Sequence, residues 1–155
     1  MPQFVLNVND YRAFGKLDAF TRGYIEAIFF TETSPAYDSL EWHTPKCRKA
    51  QEDGCADGTI PGDAAFDDLS ADALAEIIAD CEAFQRDNEA LLEAAYETDR
   101  YDADRAGNDY WYTRNGHGCG FWDRGLGDIG DKLSDAARYS SVDLFYTEDG
   151  KVCMA

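Results

Sequence analysis

Between residues 70 and 98 apolar side chains return at helical intervals. Leu74, Ile77, Ile78, Cys81, Phe84, Leu91, Leu92 and Ala95 fall within one broad arc at about 100° per residue, which predicts one amphipathic helix. Ser70 supplies an N-cap, and Asp72 stands in the first turn, where the helix dipole favours negative charge. A second helix is predicted over residues 14–31, with Leu17, Phe20, Tyr24, Ile25 and Ile28 on one face. A third, shorter one is predicted over 128–139, with Ile129, Leu133, Ala136 and Ala137 inward.

Elsewhere the pattern points to strands. Residues 4–8 read as an extended start, and DYWYTR (109–114) is a run of strand formers followed by the turn signal Asn115-Gly116. Residues 109–114 and about 119–123 are therefore expected to pair as a hairpin. In that hairpin Trp111 and Trp122 would face each other, and Gly116, Gly118 and Gly120 would leave one side bare. VDLFYTEDGKVCM alternates around Asp149-Gly150 and predicts strands near 142–147 and 151–154. Residues 32–68 hold every proline except Pro2 and read as an irregular connection. The expectation is one α+β domain over 1–155. A small antiparallel sheet of three to four strands in the C-terminal third packs with two longer helices and one short helix.

Composition bounds the function classes. At 155 residues, with 45% hydrophobic and 14% aromatic residues, the chain is too apolar for disorder despite a net charge of -17. No apolar run is long enough to span a bilayer, and MPQFVLNVNDYRAF lacks the pattern of a signal peptide, so a soluble cytoplasmic protein is expected. Cys47, Cys55, Cys81, Cys119 and Cys153 are odd in number and form no CxxC pair, which argues for reduced thiols. His43, Cys47 and Cys55 are a zinc set without a fourth ligand. DADRAGND (102–109) starts like a calcium loop but places Ala106 and Thr113 where ligands belong. Neither a metal nor a cofactor is expected.

The charge is unevenly spread. Residues 63–109 carry fifteen acids and three bases, and so supply twelve of the seventeen net negative charges. Asp72, Glu76, Asp80 and Asp87 line one edge of the polar face of the 70–98 helix, and Glu82, Glu89, Glu93 and Glu97 line another; Asp99, Asp102 and Asp104 continue the run. An ordinary solvated face interleaves lysine with glutamate, because opposite charges four apart stabilise a helix by a few tenths of a kcal/mol and like charges destabilise it. This segment contains no lysine. Such a surface repels nucleic acid and anionic membranes and attracts the basic grooves that hold nucleic acid. These acids are the expected partner-binding residues, and the partner a basic surface of a nucleic-acid-handling protein. Monomer and homodimer stay equally open, with Phe29, Phe30 and Tyr37 as a candidate apolar patch.

The stretch DYWYTRNGHGCGFWDRG, continuing into LGDIGDKLSDAARYSSVDLFYTEDGKV, resembles a group of small, mostly uncharacterised proteins of tailed phages and bacterial plasmids. They carry a D[FY]WxTRNxHGxGFWDRG signature, an LGxxLxxAA helix and a terminal strand ending in DGK. The resemblance covers the last third of the chain. It implies a mobile-element origin and a bacterial host cytoplasm, and brings no reaction with it. With it, an acidic inhibitor of a host defence protein, of anti-CRISPR or anti-restriction type, becomes the first expectation. The second is a small enzyme or ligand-binding module centred on His117, with Asp123 or Arg124 as partners and Asp109, Arg114 and Cys119 nearby.

Overall fold

The computed structural model describes residues 10–33, 60, 64–147 and 150–155. Among them are six α-helices: α1 (Asp10–Gly15), α2 (Ala19–Glu32), α3 (Ala71–Asp87), α4 (Glu89–Tyr96), α5 (Ala103–Arg114) and α6 (Asp128–Ala137). Two strands, β1 (Leu144–Tyr146) and β2 (Val152–Met154), close the chain. Contacts divide it into two compact units. The first comprises Met1–Lys16, Ile28–Ala75 and Asp143–Ala155, and the second Leu17–Ala27 and Glu76–Val142.

In the first unit β1 and β2 pair antiparallel in the register Leu144↔Met154, Phe145↔Cys153, Tyr146↔Val152. Gly150 at φ +82 and the Gly150 N–H donating to the Thr147 carbonyl (3.0 Å) shape the reversal, in line with the terminal hairpin read from the sequence. Val152 also bridges Leu69, and its carbonyl accepts from the Ser70 N–H (2.9 Å). Ser70 caps α3 as expected: its Oγ accepts from the Ala73 N–H at 3.0 Å. Phe14 meets Phe66 edge to face at 5.3 Å. Phe29 is buried and Phe30 is 38% exposed.

The second unit is helical and built around aromatic rings. Phe84 stacks on Tyr110 with ring centroids 4.2 Å apart, and Phe121 and Phe20 lie against Phe84 at 5.8 and 6.0 Å. Trp111 meets Tyr24 edge to face at 5.4 Å. Ile77, Cys81, Leu92 and Ala95, all from the apolar arc read off the sequence, are buried, as is Leu133 of α6. Two glycines let backbones touch: a methyl on Gly23 of α2 would run into the Asp104 carbonyl of α5, and one on Gly107 of α5 into the Phe20 carbonyl of α2.

The expected α+β architecture with a three-to-four-stranded sheet does not hold. Only a two-stranded sheet is present among the described residues, and residues 109–114, expected as a strand, form the C-terminal half of α5. The local reason is the N-terminus of that helix. Asp102 has extended backbone and its Oδ1 accepts from the Arg105 N–H (3.1 Å), which starts α5 seven residues before the aromatic run. Once started, the helix places Ala106, Tyr110 and Trp111, Thr113 and Arg114 inward at helical spacing, and burying those rings outweighs their strand propensity. Asn115-Gly116 ends the helix instead of turning a hairpin. Gly116 stands at φ +67, its N–H donates to Thr113 O (3.4 Å), and the His117 N–H donates to Tyr112 O (3.0 Å), which together form a Schellman cap. Trp111 and Trp122 accordingly do not pair: Trp111 is buried in α5, and Trp122 sits 39% exposed on a 3-10 turn over Phe121–Asp123.

The helix expected over 70–98 is two helices. Asn88 interrupts it with φ -122 and ψ 24, its side-chain amide donating to the Phe84 carbonyl at 2.9 Å in competition with the backbone ladder. Over 14–31 the periodic stretch likewise divides, because Asp18 caps a fresh start at Ala19: its Oδ1 accepts from the Thr21 N–H at 2.7 Å. The start at 4–8 and residues 34–59 and 61–63 of the 32–68 connection, with Tyr37, His43, Cys47 and Cys55, lie outside the described residues, while its end forms a 3-10 turn over Phe66–Asp68.

Candidate functional site

The acidic run divides by what each carboxylate does. Asp80 is a strut. Its Oδ2 accepts from Arg114 Nη1 at 2.9 Å, while Arg114, itself only 7% exposed, also donates to the Tyr24 hydroxyl (2.9 Å) and to the Ser140 carbonyl (2.9 Å). The guanidinium lies 4.9 Å from the Tyr110 ring centroid. Asp102 caps α5. Asp87 and Asp99 pair with Arg86 and Arg100 at 3.4 and 4.0 Å on the open surface, where such pairs contribute little.

In the second unit Glu76 and Glu82 remain exposed on α3, Glu89 and Glu93 on α4, Glu97 at its C-cap and Asp104 on α5; Asp72 is exposed in the first turn of α3, within the first unit. Asp104 also acts across the glycine crossing. Partial burial, followed by the negative charge of Asp104, pushes the Glu26 carboxyl above its ordinary range, with Arg22 opposing. Glu26 had no signal in the linear sequence, since its neighbour in space is a residue of α5.

The segment 109–125 is an internal brace. Asp109 is fully buried and held by three groups of hydrogen bonds: Arg124 Nε donates to Oδ1 (3.0 Å) and Oδ2 (3.2 Å), Arg124 Nη2 to Oδ1 (2.8 Å), and the Tyr101 hydroxyl to Oδ2 (2.7 Å). Burial pushes the Asp109 carboxyl up, and the hydrogen bonds from Arg124 and Tyr101 act against that. Hydrogen bonding to Asp109 raises Arg124 in turn. Tyr101 is pushed up by burial and then by the Asp109 charge. Thr113 Oγ1 accepts from the Phe121 N–H (3.3 Å), Asp123 Oδ1 from the Gly120 N–H (3.1 Å), and Asn115 Oδ1 from the Val142 N–H (3.0 Å). Gly130 of α6 packs on the turn so closely that a methyl there would meet the Phe121 carbonyl at 2.5 Å.

The residues proposed for chemistry are thus largely committed to the fold. Asp109, Arg114 and Arg124 form struts, and Asp123 caps the turn. His117 and Gly118 are exposed, and the His117 ring lies 6.1 Å from Trp111 and 6.4 Å from Tyr112. Cys119 is half-buried, and burial, opposed by Arg124, pushes its thiol above the ordinary range. Among the described residues no group of three or more His, Cys, Asp or Glu side chains is placed to hold a metal. The calcium-like stretch 102–109 forms the N-cap and first turns of α5. No helix among the described residues is long and apolar enough to cross a membrane. No protein-family model, no curated protein and no solved structure matches the chain.

Proposed function

We propose that this is a non-enzymatic acidic protein of phage or mobile-element origin that acts in the bacterial cytoplasm. It binds the basic, nucleic-acid-holding surface of a host defence protein, imitates the charge of a nucleic-acid strand and so inhibits a CRISPR or restriction effector. The observation that carries this reading is the set Glu76, Glu82, Glu89, Glu93, Glu97 and Asp104. These acids stay exposed on neighbouring helices that contain no lysine and whose only arginines among residues 71–97 reduce to Arg86, already beside Asp87. A surface of this kind gathers cationic partners quickly, and its binding weakens steeply with salt. The phage-like signature in 109–125 supports the setting.

The test is capture of partners from bacterial lysate at low and high salt, followed by competition with duplex DNA using the purified partner. The reading expects a DNA-binding protein that is released by salt and displaced by DNA. A partner held equally at high salt, or one that binds DNA and this protein together, would contradict it.

A further inference from the structure

The 3-10 turn at Phe121–Asp123 presents one aromatic ring to solvent and seats it on backbone. Trp122 is 39% exposed. Its ring lies on Gly120, where a methyl would meet Cζ3 at 2.5 Å and Cε3 at 3.0 Å, so the absent side chain is what seats the indole against backbone. The turn beneath is fixed from several directions: Phe121 is buried, its N–H donates to Thr113 Oγ1, the Gly120 N–H donates to Asp123, and the neighbouring Arg124 is clamped on Asp109. A ring held this way loses little freedom when a partner covers it, which is the property of an interface anchor.

The charge around the ring selects what covers it. Arg124 pairs with Asp109 at 2.8 Å and lies 3.8 Å from the half-exposed Asp123, so these three groups together carry one net negative charge, and Asp128 is exposed in the first turn of α6, which packs against this turn. An electron-rich indole face on a turn of net negative charge fits a cation. We infer that Trp122 is a cation–π anchor, on which a basic partner seats an arginine or lysine side chain with Asp123 beside it. This rests on the acidic-docking reading above and adds to it a specific aromatic contact outside the acidic helices.

The test titrates the full-length protein with an oligoarginine peptide at about 0.15 M salt. It follows the Trp122 indole resonances by NMR and compares wild type, W122A, W122L and the triple variant E89K/E93K/E97K. The inference expects the Trp122 ring signals to shift with saturation, and both W122A and W122L to weaken binding about 5- to 30-fold. W122L keeps apolar area without the ring face, so wild-type affinity in that variant would overturn the cation–π contact. If W122A and W122L bind as wild type while the triple variant does not, the anchor falls and the acidic-docking reading stands. If the peptide binds all four alike, or none, both fall.

Discussion

Replacing Arg124 by alanine should destabilise the protein by about 3 kcal/mol at neutral pH, far more than a surface ion pair contributes. The figure follows from the asymmetry of the pair. Asp109 is fully buried, so deleting its partner strands a charge that water cannot reach, a loss of about 3–5 kcal/mol in comparable cases. Arg124 is itself one-third exposed, and Tyr101 still donates to Oδ2, which place the expectation at the low end of that range. For a chain of 155 residues that corresponds to a fall in Tm of about 6–12 °C. The pH dependence carries the sharper signature. Burial already holds the Asp109 carboxyl above its ordinary range, so its ionised form is disfavoured in the fold, and its contribution declines as pH rises through the raised folded value. Losing Arg124 removes a lowering influence and extends that window upward. The loss in R124A should therefore shrink as pH falls from 8 to 5, by at most about 1.4 kcal/mol per pH unit. Thermal and urea unfolding followed by circular dichroism over that range measure both effects. A loss below about 1 kcal/mol that does not change with pH would refute the buried-clamp reasoning.

Three further outcomes follow from the same geometry. G107A should destabilise by about 1–3 kcal/mol or more in urea unfolding, because α2 and α5 must separate to admit the methyl, whereas G15A, with nothing near, should not. G116A should cost about 1 kcal/mol, since alanine is strained at φ +67 in the cap of α5; amide exchange of the last turn would report it. E26Q should raise stability at neutral pH, because the folded state disfavours the Glu26 charge, and the gain should vanish as pH falls below the ordinary carboxylate range.

Features whose signals are local were legible in the sequence. Ser70 as a cap, the buried arc Ile77, Cys81, Phe84, Leu92 and Ala95, the α6 face at Leu133 and Ala137, and the Gly150 reversal all depend on residues within a few positions of one another. DYWYTRNG misled for a physical reason. Tyr, Trp and Thr favour strands in isolation, and Asn-Gly serves equally at a hairpin turn and past a helix end, since both need a left-handed residue. The deciding signal is Asp102, which opens the calcium-like stretch and acts as a helix cap. Within the candidate site the exposed acids were visible as a run, but their division was not. That Asp80 braces Arg114, that Tyr101 completes the Asp109 clamp and that Glu26 meets Asp104 are products of helix packing between residues far apart in the chain.

The acids of α4 and its C-cap, Glu89, Glu93 and Glu97, carry the central claim most directly. E89K/E93K/E97K changes three exposed side chains and moves the net charge from -17 to -11, two units for each substitution, without touching the core. Competition between this protein and duplex DNA for a captured nucleic-acid-handling partner, measured across salt concentrations, is the decisive measurement. The account predicts that the wild type displaces DNA with strong salt dependence and that the folded triple variant does not displace it. Undiminished displacement by the triple variant would contradict the central claim.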